Sequence, residues 1–205
     1  PRRGALPIAA GLPWDRLVAQ ARSLGFARCG ATPAATAAHA AAYRDWVARG
    51  YAAQMTYMTR QPARRTDPRL LLDGARSVLS LAVAYPRPAP RPLPAGWGRV
   101  AAFAQGPDYH ESIATRLEAL STWLQAQLPD AGSRCFVDTG PLLERDLAQQ
   151  AGVGWCGKNT CLISREAGSY VFLAEIVTGA PLPYAPPATP RCGNCTACLN
   201  ACPTG

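Results

Sequence analysis

Four cysteines near the end of the sequence have a spacing that by itself indicates a chemistry. They follow the pattern C-x2-C-x2-C-x3-C-P and are Cys192, Cys195, Cys198 and Cys202, with Pro203 after the last. In bacterial two-cluster ferredoxins such a run supplies three thiolates to one [4Fe–4S] cubane and the fourth to the other. The pattern therefore predicts that these four residues ligate iron–sulfur clusters.

Two other uses of closely spaced cysteines fit this run less well. Structural zinc sites usually consist of two short pairs a dozen or more residues apart, whereas these thiols lie within eleven positions. Adjacent disulfides this close would be strained. The remaining cysteines are isolated, as small buried hydrophobic residues often are.

Because two cubanes need eight thiolates, we expect the sequence to be cut inside its ferredoxin module, and the start at Pro1 indicates a cut there too.

The composition predicts a soluble protein with a basic surface. The chain has 205 residues, 48% of them hydrophobic, and no apolar run approaches the ~20 residues that span a bilayer. Thiols spaced for metal, without a secretion signal, indicate the reducing cytoplasm. Lys158 is the only lysine among 21 basic residues, and the net charge is +8. An arginine-rich surface suits a polyanion such as RNA, although codon composition can produce the same bias. Four arginines close together in the sequence form either a solvated helix face or an anion-binding site: Arg60, Arg64, Arg65 and Arg69.

Residues 1–180 read as one α/β (α+β) domain, and 181–205 as a proline-rich linker with the first half of the ferredoxin module. In the first half of that domain, helices are predicted at 13–25 and 36–49, with a short strand at 26–30 between them. A nearly continuous apolar run at 76–85 is typical of a strand buried on both faces. After a proline-rich connection, we expect another inner strand at 100–104.

The clearest helix is predicted at 108–128, with apolar residues spaced four, three and four positions apart. Asp108 and Glu111 resemble a capping box at its start. Asp138 then follows a short strand at 135–137 and has two possible roles. Beyond the carboxyl end of a strand it would be a site residue, whereas before a helix that begins near Pro141 it would be an N-cap. The residues alone favour the cap, because Asp before a helix that starts with Pro is common.

The glycine-rich stretch 152–160 nearly matches the phosphate-binding pattern G-x4-G-K-[ST]. Asn159 stands where the magnesium-binding hydroxyl should be, and 161–164 and 170–177 are strand-like rather than helical. We therefore reject nucleotide binding. A backbone this rich in glycine still comes close to something large and polar, or simply forms a tight turn.

These motifs occur in the same order in epoxyqueuosine reductases, and the chain resembles that family from about Gly50 onward. The matching segments are Gly50-Tyr51 with Met55 and Tyr57, Thr66-Asp67-Pro68, 74–78, Gly106 with Asp108-Tyr109-His110, 137–141, Glu144-Arg145 with Ala148, 151–155, 157–160, Gly168-Ser169 and 192–205. The resemblance implies a nitroreductase-like cobalamin-binding domain, related to that of reductive dehalogenases, followed by the start of a bacterial two-cluster ferredoxin-like module.

The same resemblance implies a function. It is the reduction of epoxyqueuosine to queuosine at the wobble position of tRNA, with cobalamin, electrons from [4Fe–4S] clusters and Asp138 as the residue that matches the proton donor. The implied partners are the anticodon arm of tRNA and an external electron donor, with no membrane, and we expect a monomer. The implied cobalamin contacts are Met58, Arg60, Ala101, Asp138, Gly157, Lys158, Asn159 and Leu162.

Three other functions use parts of the same pattern. A reductive dehalogenase-like or other corrinoid-reducing enzyme would share the cofactors but would not need an arginine-rich surface. A non-enzymatic iron–sulfur electron carrier would bind no corrin. A zinc-stabilised RNA-binding module would contain zinc and no iron.

Overall fold

The computed structural model describes residues 12–87, 89 and 91–204, so predictions for the first eleven residues, Pro88, Pro90 and Gly205 lie outside it. Its helices are α1 (Trp14–Ser23), α2 (Ala40–Ala48), α3 (Thr56–Thr59), α4 (Pro62–Thr66), α5 (Tyr109–Gln127), α6 (Glu144–Gln150) and α7 (Ala197–Asn200). Its strands are β1 (Arg28–Pro33), β2 (Ser77–Ala84), β3 (Ser133–Phe136), β4 (Trp155–Cys156), β5 (Leu162–Ile163) and β6 (Val171–Thr178). None of the helices described combines the length and the apolar composition that crossing a membrane requires.

Four strands form an antiparallel sheet in the order β1-β2-β6-β3, and β4 and β5 form a separate hairpin. Alternate residues of β2 point to opposite faces. Leu79 and Leu81 pack with α1 and α5, whereas Val78 and Ala82 pack on the side of α6. Coverage of both faces explains the continuous apolar run at 76–85 and confirms the prediction of a strand buried on both sides.

Two predicted helices are confirmed with small changes in their ends. Helix α1 stops at Ser23, and Gly25 follows with φ +85°, a left-handed conformation that suits glycine after a helix. Helix α5 is capped by Asp108, whose carboxylate accepts a hydrogen bond from the backbone N–H of His110. The first predicted helix after β1 is shorter than expected, because α2 begins only at Ala40.

The predicted inner strand at 100–104 is wrong. The segment is irregular, ends in a 3-10 turn at Ala102–Ala104 and exposes 61% of Val100 and 50% of Phe103. The reason is tertiary: in the described sheet, the two central positions are taken by β2 and β6, and the edges by β1 and β3. A short apolar segment without a strand to pair with stays on the surface, whatever its composition.

Candidate active site

Asp138 lies where β3 passes into the loop before α6. Its φ of +53° is a left-handed conformation that residues other than glycine seldom adopt. Helix α6 begins at Glu144 with Leu143 at its N-cap, so the predicted capping role of Asp138 is wrong. Pro141 does not start the helix: the N–H of Leu142 donates to the carbonyl of Gly140 in a tight turn, and Leu142 packs in the core beside Leu147. The Asp138 side chain remains 58% exposed and has other partners.

Two side chains from the first turn of α5 approach the Asp138 carboxylate. The Tyr109 hydroxyl donates a hydrogen bond to Oδ2 over 2.6 Å, and Nε2 of His110 lies 3.4 Å from the same oxygen. The Tyr109 ring stacks on Phe172 of β6, with centroids 4.0 Å apart and planes 13° apart. Burial, and then the hydrogen bond to Asp138, raise the pKa of Tyr109, so its hydroxyl stays protonated as a donor.

His110 lies between two carboxylates. Its Nδ1 is 2.8 Å from Oδ1 of Asp108, and its other ring nitrogen faces Asp138. The hydrogen bond to Asp108 is the main cause that raises the pKa of His110, and Asp138 adds to it. The imidazole is therefore more readily protonated than an ordinary histidine and is placed to pass a proton to Asp138.

Two carboxyl groups lie beneath the Asp138 loop. Oε1 of Glu144 accepts a hydrogen bond of 2.7 Å from the backbone N–H of Asp138. Glu175, fully buried on β6, lies beside the Glu144 carboxyl and accepts from the Ser80 hydroxyl over 3.4 Å. Burial is the main cause that raises the pKa of Glu144 to about 7 and that of Glu175 well above its ordinary value. The pair therefore retains a proton where an exposed glutamate would have lost it.

The turn 157–162 joins β4 to β5 and is tightly built. The side-chain oxygen of Asn159 accepts from the N–H of Cys161, and a side chain at Gly157 would come within 2.6 Å of that oxygen. Leu162 is only 3% exposed and packs in the core, so it anchors the end of the turn. Because a hairpin follows Lys158 and not a helix, the structure agrees with the rejection of a nucleotide-binding loop.

Lys158 attaches the cysteine run to the domain. Its ammonium group donates hydrogen bonds to the carbonyl oxygens of Gly193 (2.9 Å) and Cys195 (3.0 Å). The backbone N–H of Lys158 is the main cause that lowers the pKa of Cys192, which favours the thiolate that a metal ligand must be. Within the described residues, no three Cys, His, Asp or Glu side chains are grouped as a metal site.

The remaining implied cobalamin contacts lie in two other segments. Met58 of α3 is half-buried and its carbonyl accepts from the Tyr43 hydroxyl, whereas Arg60 and Ala101 are exposed. Large apolar side chains face solvent on both segments: Tyr51, Met55, Tyr57, Trp97, Val100 and Phe103. These exposed apolar side chains fit a bulky ligand with an apolar face, such as a corrin.

A groove of about 650 Å³ lies beside the Asp138 loop, between α5 and the residues that follow β3. Asp108 and His110 line one side of it, and Thr139, Gly140 and Pro141 line the other. A smaller hollow of about 230 Å³ lies between α1 and β1, at the opposite edge of the sheet. The larger groove is the candidate substrate site because it is lined by His110, whose ring faces Asp138, and by the residues next to Asp138 in the loop.

The structure thus joins Asp138 to residues for which the sequence analysis had assigned no role. Tyr109, His110 and Glu144 belong to motifs shared with the resembling family, but the sequence assigns them no chemical role. Glu175 gave a different signal, because it is a charged residue inside the apolar run of β6. The structure links Asp138 to these side chains, while Arg60 and Ala101 remain on separate exposed segments.

Known proteins resemble this chain in sequence. The family model described as "Epoxyqueuosine reductase QueG, DUF1730" matches residues 65–139. An epoxyqueuosine reductase of Synechocystis sp. is 45% identical over 161 residues, which cover 78% of this chain and 55% of the relative. Another from Xanthomonas campestris pv. campestris is 42% identical over 197 residues, covering 92% of this chain and 55% of the relative. The chain spans about half the length of these relatives.

Solved epoxyqueuosine reductases resemble it in structure. The protein from Streptococcus thermophilus has a TM-score of 0.84 at 30% identity, over 92% of this chain and 52% of that one. A crystal structure with an epoxyqueuosine-modified tRNA-Tyr stem loop has a TM-score of 0.78 at 33% identity, over 93% and 51%. A Bacillus subtilis structure, in which the catalytic aspartate loop is swung out of the active site, has a TM-score of 0.76 at 29% identity, over 93% and 51%.

A more distant match concerns the fold alone. A reductive dehalogenase, described in connection with B12-dependent dehalogenation, has a TM-score of 0.55 at 17% identity, over 96% of this chain and 25% of that one. This likeness confirms the predicted α+β fold, shared with reductive dehalogenases. The sequence and structure matches together confirm the resemblance inferred from the motifs. Over the part that it spans, this chain is similar to epoxyqueuosine reductases in both sequence and structure.

Proposed function

We propose that the full-length protein reduces epoxyqueuosine in tRNA to queuosine, and that this chain carries the proton donor. Support comes from relatives named for that activity and from a solved relative with a modified tRNA stem loop. The observation that carries the proposal is the setting of Asp138. It is exposed, contacted by the Tyr109 hydroxyl and His110, and held through its own N–H by Glu144.

The proposed cofactors are cobalamin and two [4Fe–4S] clusters. The exposed apolar side chains around Met58 and Ala101 would cover a corrin face, Arg60 would meet its polar edge, and the 157–162 turn would contact it through its backbone. When bound, cobalamin supplies reducing electrons to the epoxide, and the clusters relay those electrons one at a time. Three cysteines would ligate one cluster and the fourth the other, in the order Cys192, Cys195 and Cys198, then Cys202.

Converting an epoxide to an alkene consumes two electrons and two protons and releases the oxygen as water. Asp138 would protonate that oxygen as its bonds to carbon break. His110 would then reprotonate Asp138, because its ring faces the carboxylate and is 36% exposed to water. Tyr109 would keep Oδ2 oriented through its hydrogen bond.

The loop that carries Asp138 is proposed to move during the reaction. In the Bacillus subtilis relative the catalytic aspartate loop is swung out of the active site. The φ of +53° at Asp138 is consistent with a loop that has a second conformation, since such backbone is held only by its surroundings.

The proposed partners are the anticodon arm of tRNA and an external electron donor, and the proposed assembly is a monomer. In the basic cluster, Arg69 is paired with Asp67 at 2.6 Å, and Arg65 donates to the Tyr57 carbonyl. Arg60 and Arg64 are exposed, and we assign phosphate contacts to them.

The test uses the full-length protein, reconstituted with cobalamin and iron–sulfur clusters, on epoxide-containing tRNA. We expect Asp138→Asn to abolish alkene formation while the corrin absorbance shows unchanged binding, because the amide retains the shape but supplies no acidic proton. Asp130→Asn, an exposed carboxylate beyond α5, is the matched control and should keep full turnover. Turnover by Asp138→Asn at the wild-type rate would remove Asp138 from the reaction.

A further inference from the structure

Glu175 is a carboxyl group at the centre of the sheet, and nothing in the proposed reaction uses it directly. It is fully buried, on a strand that pairs with β2 at Ser80 and with β3 at Phe136. Burying a carboxyl group costs free energy that an apolar residue at the same place would not. A role in the sheet alone therefore does not account for a glutamate here.

The contacts of Glu175 indicate which form it takes. Ser80 donates to Oε1, while the buried Oε2 has no hydrogen-bond partner within the described part of the chain. The acidic neighbour of this carboxyl is Glu144, at the start of the helix that packs on β6. Two carboxyl groups side by side in the interior avoid repulsion only if one carries a proton, and the more deeply buried Glu175 is the one that keeps it. A protonated Glu175 is then the donor and Glu144 the acceptor.

Glu144 extends this contact to the loop above. The same carboxyl accepts the backbone N–H of Asp138 over 2.7 Å, at a residue with left-handed backbone. We propose that Glu175, acting through Glu144, holds the Asp138 loop in the conformation that gives Asp138 its φ of +53°. This inference rests on the proposed function, because it makes Glu175 a positioning residue for the proton donor.

Other charged and polar groups around Glu144 and Glu175 affect which of these two carboxyl groups is ionised. The positive charge of Arg65, from α4, favours an ionised Glu144, whereas the negative charge of Asp138 opposes it. Ser80, from β2, favours an ionised Glu175, and Glu144 and Asp138 oppose it.

The test compares Glu175→Gln with Glu175→Leu in the full-length protein. Glutamine keeps a donor to Glu144, so the loop and turnover should stay within about twofold of wild type. Leucine has no donor. We expect kcat to fall about ten- to hundredfold, as for loss of a hydrogen bond to a charged group, with unchanged corrin binding and unchanged KM for tRNA.

A second readout does not depend on activity. Hydrogen exchange at the amide of Asp138 should accelerate in Glu175→Leu and remain as in wild type in Glu175→Gln. If the leucine variant does not fold, Glu175→Met, which is closer to glutamate in shape and also has no donor, should give the same faster exchange. Exchange unchanged in the variant that folds would overturn the inference, as would a glutamine variant as impaired as the leucine variant. Failure of Asp138 as proton donor would leave the exchange result intact, so the two proposals are tested separately.

Discussion

The proposed role of Asp138 requires that its carboxyl group be oriented toward the epoxide oxygen and then reprotonated, and different neighbours of Asp138 are placed to meet these two needs. Tyr109 and Glu144 fix the side chain and the backbone of Asp138, respectively. His110 connects the carboxylate to solvent and to Asp108. The sequence correctly predicted that Asp138 follows a strand, but it favoured a helix-capping role for this residue. That error arose because no local pattern shows that Leu142 packs in the core.

Replacing Tyr109 by Phe tests the aiming of Asp138. The variant keeps the stacking on Phe172 and loses only the 2.6 Å hydrogen bond to Oδ2. Since hydrogen bonds to charged groups contribute about 1.5–3 kcal/mol, we expect kcat to fall about tenfold or more. Tyr85→Phe is the matched control, because Tyr85 contacts the same Phe172 ring, and its turnover should be unchanged. Equal rates for wild type and Tyr109→Phe would show that the hydroxyl does not orient the acid.

The raised pKa of His110 predicts how stability depends on pH. A histidine whose pKa in the folded state exceeds 6.5 stabilises the fold fully below that pH, and this stabilisation is lost as pH rises through the folded value. His110→Gln should therefore be less stable than wild type at pH 5.5, with a difference that shrinks by pH 8.5. Urea unfolding at both values measures it. A difference that grows with pH would contradict the assigned interaction.

At the level of elements, α6 connects the two ends of the site. Its first residue holds the Asp138 loop, and Arg145 donates to the carbonyl of Thr160 in the 157–162 turn at 2.5 Å. Periodicity predicted α1, α5 and β2 well, because each buries a regular face. Periodicity failed at 100–104, because the availability of a pairing partner decides whether an apolar segment becomes a strand. It also could not predict the hydrogen bonds between Lys158 and the cysteine run.

Lys158→Met tests whether that joining supports cluster assembly. The variant loses the hydrogen bonds to the carbonyls of Gly193 and Cys195, so the run should be less well placed for its cluster. We expect iron and acid-labile sulfide per full-length protein to fall by about half or more, with corrin binding less affected. Arg16→Met, at an exposed position on α1, is the control. Full cluster content in Lys158→Met would show that these bonds are dispensable.

At the level of the whole molecule, the sheet brings residues distant in sequence to one place. Glu175 and Glu144 meet because β6 lies between β2 and β3, and α6 packs across that part of the sheet. Strand order leaves no local trace in a sequence, so this pair could not be predicted, although a glutamate in an apolar strand was a visible anomaly. The sequence likewise could not show which arginines of the basic cluster are paired and which are exposed.

The division of the arginines predicts the salt dependence of tRNA binding. Removing Arg60 and Arg64 together should weaken binding and lower the slope of log affinity against log salt by about 0.7–0.9 for each phosphate that is no longer neutralised. Arg69→Ala, whose guanidinium is already paired with Asp67, should leave the slope nearly unchanged. The opposite ranking would show that the tRNA contacts lie elsewhere.

The central claim is that this chain supplies the proton for removal of an epoxide oxygen in tRNA. Its most direct measurement is mass spectrometry of the wobble nucleoside after one turnover by the full-length, cofactor-loaded protein, with wild type and Asp138→Asn side by side. The account predicts that the wild-type product has lost one oxygen atom and that the Asp138→Asn product retains it. Retention of the oxygen by wild type with corrin and clusters bound, or its loss in both proteins, would contradict the account.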